Sequence, residues 1–443
     1  MPEQKQCDSG KTGAGSQVPA NRLLGVYPQK QDGLFMQRIR IPGGRISWPQ
    51  WRRIAKLAVK YTPGVPLHLT TRQDIELHDV TQESIPAVHE GLAEAALTVF
   101  GAGGDSVRNV TVCAGCDLCR DAFDLLPLAR LVQSHIEQQP VIFNLGRKFK
   151  ISFSGCEKAC ARPWVSDLGF IAQADGLFTV IGAGSLGAKP ALGIRFYEDL
   201  PAGDILPLCV AALEFFEQSG ERQNRRRARF RHVREKFGNQ AFLAEIDNRF
   251  KHLKARQSWP GIVPAAAHGR SKLLHRLQLP NGNISPREAF DLADTAEPKG
   301  ATLRINLEHG IELYGKKEFE LPESLAQLAN NPIIIACPSS TTCPRGLVNC
   351  WLSADKIRKI LTKRHTKQLQ ICISGCPNNC AQSAVADIGL IGMMRKENGM
   401  PTEHYRLFTG GGNGKNEKLA EPSSVISARD VCKTIESLLR NFD

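Results

Sequence analysis

Ser-Gly-Cys-x3-Cys occurs twice in this 443-residue chain, and the residues around it repeat with it. The first copy is "KFKISFSGCEKACARPWVSDLGFIAQ", with Cys156 and Cys160; the second is "QLQICISGCPNNCAQSAVADIGLIGM", with Cys376 and Cys380. Aligning them sets Asp167 against Asp387 and Gly169 against Gly389. Each copy is preceded by a pair spaced Cys-x5-Cys: Cys113 and Cys119 in "CAGCDLC", Cys337 and Cys343 in "CPSSTTC". A pattern repeated at matching spacing constrains the chain to two related halves, since each copy specifies the same order of elements.

The repeat extends upstream. "RIRIPGGRISWPQWRRIAKLA" from Arg38 parallels "RLQLPNGNISPREAFDLADTA" from Arg276. Both predict strand, turn and helix, with Ser47 and Ser285 as N-caps. The alternating segments "LHLTTRQDIELHDV" and "ATLRINLEHGIELYG" follow, each reading as two strands around a bend, and then a further helix. This α+β order predicts a small ferredoxin-like half-domain made twice. The cysteine pair after the strand is expected at a turn entering a helix, where amide dipoles favour thiolate. The glycine-rich turns "GAGSLG" at 182 to 187 and "GGGNG" at 410 to 414 read as loops whose amides could receive cofactor carboxylates.

Zinc sites usually pair cysteines two to four residues apart, whereas a cubane needs four thiolates spread around a larger body. The doubled spacing therefore favours iron–sulfur ligation over buried structural thiols. Cys7, Cys209, Cys350, Cys372 and Cys432 lack it and read as structural, and the 11 histidines show no ligand spacing. With eight of its fourteen cysteines clustered at ligand spacing and no apolar leader, the chain suits a reducing compartment, so a cytoplasmic protein without a membrane span is expected. The net charge is +13, concentrated in "ERQNRRRARFRHVREKF" at 221 to 237, which reads as a solvated linking helix. No nucleic-acid motif accompanies that charge; a carboxylate-rich tetrapyrrole or an acidic donor protein suits it better.

On these motifs the chain, from about residue 22 onward, resembles the sirohaem-dependent sulfite and nitrite reductases. The resemblance implies two ferredoxin-like half-domains that pair, plus two α/β units related by a pseudo-two-fold axis. The expected divisions are a polar tail 1–21, half-domain 22–99, unit 100–206, basic helical linker 207–262, half-domain 263–331 and unit 332–443. It further implies that Cys337, Cys343, Cys376 and Cys380 hold a 4Fe-4S cluster, with Cys380 bridging to the sirohaem iron. Arg72, Arg108, Lys148 and Lys150 match the family's anion-binding residues. Guanidinium forks grip oxyanion oxygens, and lysines crowded by other cations become better proton donors. Gln73, Asn109 and the basic linker are candidates for the tetrapyrrole carboxylates.

Lys150 completes a Lys-x-Lys pair resembling the sulfite reductases, where ferredoxin-linked nitrite reductases tend to carry Asn. Sulfite reduction to sulfide is thus the expected activity, with nitrite reduction to ammonia as the alternative, and a precorrin-hydroxylating relative or an electron-transfer subunit behind them. Without a complete dinucleotide fingerprint, electrons are expected from a ferredoxin or flavoprotein partner.

The chain departs from single-site members because Cys113, Cys119, Cys156 and Cys160 align with all four C-terminal cysteines, as in a fused counterpart of the dissimilatory heterodimer. Opposite that set, alignment puts Glu308 for Arg72, Pro332 for Arg108, Gln368 for Lys148 and Gln370 for Lys150. The expectation is a second cubane without oxyanion turnover, an inactive second tetrapyrrole being less favoured. Cys116 leaves open which thiols of "CAGCDLC" take part.

Overall fold

The computed structural model describes residues 22–116, 122–139, 145–267, 271–361, 369–412, 414–416 and 418–440. Cys7, Cys119 and Gln368 lie outside them.

The two half-domains form as the repeat predicts. Helices Trp48–Tyr61 and Pro286–Ala296 both open with a capping box, Ser47 with Gln50 and Ser285 with Glu288, which satisfies amides that would otherwise be orphaned. The first sheet runs Val26–Pro28, Leu34–Ile39, Ile75–Thr81, Leu67–Leu69, and then takes Asn283–Ile284 from the other half. The second sheet contains Lys272–Gln278, Gly310–Gly315 and Thr302–Ile305. Its reciprocal exchange is the bridge between Arg45 and Arg304, symmetric to the pairing of Asn283 with His68. The capped helices pack together over one shared apolar core, in which Trp51 is fully buried. Its indole N–H donates to Ala289 O at 2.8 Å, and that of Trp48 to Ala301 O at 2.8 Å, so both reach across the pairing.

The cysteine-bearing units have identical topology. One sheet orders Thr111–Val112, Ile151–Ser154, Leu168–Ala172, Phe178–Gly182 and Ile194–Leu200; the other orders Ile334–Ala336, Ile371–Ser374, Ile388–Glu397, Met400–Thr409 and Glu421–Ser427. In both, the first three strands are parallel and the rest antiparallel. Ile151 pairs with Leu168 as Ile371 pairs with Ile388, so the aligned residues share register. Val165 and Leu186 pack on Ala384 and Val385, joining the two units.

Three expectations are corrected. The cysteine turns lead into single 3-10 turns, Pro163–Val165 and Ser383–Val385, rather than α-helices, so the thiols do not face an α-helix N-terminus. The amides of Gly184 and Gly411 donate to Ser166 O (2.9 Å) and Ala386 O (3.0 Å), which leaves them unavailable to a cofactor carboxylate. The basic stretch is solvated only in part and is not one helix: 221–227 is exposed and outside any α-helix, whereas Phe230 and Val233 of helix Phe230–Phe237 insert into the N-terminal core. Among the described residues no helix is long and apolar enough to cross a membrane.

Candidate active site

The pseudo-two-fold packing leaves an open cavity of about 2100 Å³, solvent at its mouth included. Arg72, Arg108, Lys148 and Lys150 line it from the N-terminal half, and Cys337, Cys343, Cys376 and Cys380 from the C-terminal half. Residues separated by more than 300 positions are thus brought to one site, and the cations and cysteines inferred from sequence meet there.

Arg72 is presented by a tight turn. The Thr70 hydroxyl accepts the amides of Arg72 (3.2 Å) and Asp74 (3.1 Å), and Gln73 adopts φ 64°. The Gln73 amide donates to Val112 O (2.8 Å) and Ile305 O (2.9 Å), while its oxygen accepts Val112 N–H (3.0 Å). Gly44 makes room for it, since a Cβ there would stand 2.6 Å from Gln73 Nε2. Asn109 donates to Ile41 O (2.8 Å) and Arg72 O (2.9 Å), and its own carbonyl receives the Arg72 guanidinium at 2.8 Å. Both side chains are buried behind the cavity wall. Gln73 and Asn109 therefore brace Arg72 and are not placed to touch cofactor carboxylates, which corrects the sequence assignment.

Arg108 is held by Gly104 O (2.9 Å), Ala102 O (3.2 Å) and the Tyr27 hydroxyl (3.2 Å). Lys150 is anchored through its backbone N–H, which Asp167 Oδ2 accepts at 2.8 Å; the same oxygen pairs with Arg229 at 2.7 Å. Arg229 and Arg225 reach the cavity from the basic stretch, and Arg147 joins them. Sequence reasoning included the basic stretch but singled out neither arginine, and it passed over Arg147 and Tyr27. The signal for Arg147 was the cation density of "GRKFK"; Arg229 depends on a partner 62 residues away that no local pattern reveals.

Crowded cations in a buried site lower one another's proton affinity. Burial lowers Lys148 to about 7, with Cys380 opposing and Arg229, Arg108 and Arg147 reinforcing. Burial, with Arg72, Lys148 and Arg229, also puts Lys150 well below the usual lysine range, against the pull of Asp167. Burial lowers Arg72 to about 10. Opposite them, burial pushes the Cys376 thiol up to about 11 and raises Cys380, which Lys148 and Lys150 counter. Thiols of this kind deprotonate when metal binds.

The residues fit a thiolate-bound cluster and a polycarboxylate macrocycle. The Nε atoms of Arg72 and Arg108 are buried without partners, donors that call for an anion. Cys337, Cys343, Cys376 and Cys380 line the same cavity and act electrostatically on one another, and four thiolates are what a cubane takes, one on each iron. The Cys337 sulfur accepts Gly375 N–H at 3.2 Å, support of the kind that orients a metal ligand.

In the other half the equivalent positions are tied to one another. Glu308 takes the place of Arg72, accepting Gln370 Nε2 at 2.9 Å and standing 3.9 Å from Arg162. Gln370 N–H donates to Asp387 at 2.8 Å, as Lys150 N–H does to Asp167.

The model of the nitrite and sulphite reductase 4Fe-4S domain matches residues 103–254 and 329–443, and that of the ferredoxin-like half domain matches 27–95. The chain belongs to the nitrite and sulphite reductase family. It is 27% identical to the chloroplastic ferredoxin–nitrite reductase of Zea mays over 94% of this chain and 80% of that protein. It is 29% identical to the ferredoxin–nitrite reductase of Leptolyngbya laminosa, over 95% and 88% respectively. The structure of Mycobacterium tuberculosis NirA protein shares the fold, with TM-score 0.80 and 19% identity over 95% of this chain and 86% of that one. As a family member the chain is an oxidoreductase that uses sirohaem and a 4Fe-4S cluster.

Proposed function

We propose that the chain reduces sulfite to sulfide, taking six electrons from a one-electron donor. The observation that carries this reading is Lys150. It stands beside Lys148 in the cavity with no side-chain partner among the described residues. A dianion gains more from that extra cation than a monoanion does. Nitrite reduction to ammonia is the second reading, favoured by the names of the curated relatives. Those names also favour a ferredoxin as donor, and the net charge of +13 would steer an acidic carrier toward the surface.

Cys337, Cys343, Cys376 and Cys380 would hold the cluster beside the sirohaem, and those groups would supply single electrons to the bound oxyanion. The chain's own residues do the rest. Arg72 and Arg108, rigidly braced, hold substrate oxygens and stabilise the charge that develops there. Lys148, at about 7, can carry a proton on Nζ at neutral pH and release it to a departing oxygen. Arg229 and Arg225 suit carboxylates at the cavity edge.

The test compares kcat/KM for sulfite and nitrite in wild type and Lys150→Asn, with a reduced viologen as donor. A preference for sulfite that the substitution moves at least about tenfold toward nitrite, roughly 1.4 kcal/mol, supports the reading. A wild type that prefers nitrite would overturn the sulfite assignment.

A further inference from the structure

Strand Ile75–Thr81 and the turn before it send alternate side chains to two faces. Ile75 and Leu77 enter the apolar core of the paired half-domains, whereas Asp74, Glu76 and His78 line the cavity. His68 and Thr70 extend that wall from the neighbouring strand Leu67–Leu69 and the turn that follows it. A sheet face that would be apolar in an ordinary core thus brings two carboxyls and two imidazoles to the site, and all four are buried.

The two carboxyls differ in their partners. Glu76 accepts Arg38 Nε–H at 2.9 Å and faces His78 Nε2 at 3.2 Å. Against the effect of burial, Arg38, His78 and His68 hold it below the usual carboxylate range. Asp74 is 4% exposed, and its Oδ1 is buried without a partner. Burial raises it to about 6, with Arg38, Arg40 and Arg72 opposing and Glu76 reinforcing. Arg108 acts on it from the loop across the cavity wall. Where two neighbouring carboxyls are driven apart in this way, one stays ionised and the other can give up a proton near neutrality.

We infer that Asp74 is an acid of the reaction, giving its carboxyl proton to an oxygen of the bound oxyanion as that oxygen leaves. The inference rests on the cavity as the site of oxyanion reduction. Each oxygen that departs as water takes up two protons, more than Lys148 releases in one ionisation. In this step the Asp74 O–H bond breaks and an O–H bond forms on the departing oxygen. The electrons come from the one-electron donor, and none pass through Asp74. Arg38, Arg40 and Arg72 stabilise the carboxylate that remains, which regains its proton from solvent, to which the cavity is open. In its neutral form the side chain does not repel the incoming anion. The Thr70 hydroxyl, which accepts the amides of both Arg72 and Asp74, fixes the acid two residues from the guanidinium that grips the substrate.

The test measures kcat and KM between about pH 5 and 9 with a reduced viologen as donor, for wild-type holoprotein, Asp74→Asn and Asp74→Glu matched by sirohaem absorbance. Asp74→Asn should lower kcat by about 10² without raising KM, because the amide copies the shape and charge of the protonated acid. The acid works only while protonated, so wild-type kcat should fall as pH rises through about 6. Asp74→Asn should lack that step and keep the higher one of Lys148, at about 7. Asp74→Glu retains the carboxyl and should recover most of the rate. Asp74→Asn with the wild-type pH profile, or with a raised KM and unchanged kcat, would overturn the inference, since a residue that only shapes the cavity gives those results. Nitrite reduction takes up protons in the same way, so the comparison is made with whichever anion the wild type prefers. A preference for nitrite overturns the sulfite reading and leaves the role of Asp74 to be decided by the same variants. A wild type inactive with both anions overturns the site, and the inference with it.

Discussion

Asp167 and Asp387 hold the same place in the two halves, so the molecule contains its own control. Asp167 is fully buried and accepts Lys150 N–H together with the Arg229 guanidinium, itself only 11% exposed. Asp387 accepts Gln370 N–H, and among the described residues no cation pairs with it. Asp387→Asn exchanges a charge-assisted hydrogen bond for a neutral one, about 1 kcal/mol. Asp167→Asn in addition leaves a buried guanidinium without its partner, and breaking such a pair costs about 3 kcal/mol or more. Unfolding entropy of about 2.1 cal/mol/K per residue gives roughly 0.9 kcal/mol/K for a chain of this length. The expected loss in Tm is therefore about 4 °C for Asp167→Asn and about 1 °C for Asp387→Asn, read by scanning calorimetry of the holoprotein. Asp167 is also the carboxylate that supports the charge on Lys150, so its loss should raise the KM for sulfite while Asp387→Asn leaves KM unchanged. Equal shifts in the two variants would refute the assignment of Asp167 as the anchor of the cation cluster.

Burial raises Asp74 from 3.8 to about 6 even though Arg38, Arg40 and Arg72 oppose the shift. A carboxyl whose folded pKa is raised loses stability as pH climbs from 3.8 through 6, here by about 3 kcal/mol. Asp74→Asn should accordingly raise Tm relative to wild type at pH 7.5, with the gain fading as pH falls toward 4; a lower Tm at pH 7.5 would contradict this. Arg229 faces the cavity from a buried position, whereas Arg225 is 51% exposed and tied to Asp105 at 2.8 Å. Arg229→Ala should therefore lower the ratio of sirohaem absorbance to protein more than Arg225→Ala, and the reverse order would count against Arg229 as a cofactor contact.

What could be read from sequence was what repeats or is local. The capping serines Ser47 and Ser285, the strand pairs and the two cysteine sets occupy short windows whose pattern fixes their structure. The four cations were legible because the segments that carry them match the anion-binding residues of the family the chain resembles, and the replacement of Arg72 by Glu308 and of Lys150 by Gln370 was visible as lost charge. Which side of a turn faces the cavity was not visible. Gln73 and Arg72 are neighbours, yet one points into the cavity and the other into the seam with Val112 and Ile305, because left-handed backbone at Gln73 reverses the chain there. Nor could charge density alone separate a solvated helix from one in which Phe230 and Val233 enter a core, and Phe230 adjoins the inward-facing Arg229.

The central claim is that cations of one half and thiols of the other form a single oxyanion-reducing site. Its most direct test is steady-state sulfite reduction by the anaerobically purified holoprotein with reduced viologen, comparing wild type, Arg108→Ala and Cys376→Ser. Removal of one preorganised donor costs about 10²–10³ in rate. Wild type should turn over, Arg108→Ala should fall by about that factor with its sirohaem band retained, and Cys376→Ser should lose both band and turnover. Undiminished turnover in Arg108→Ala, or none in wild type with sulfite or nitrite, would contradict the account.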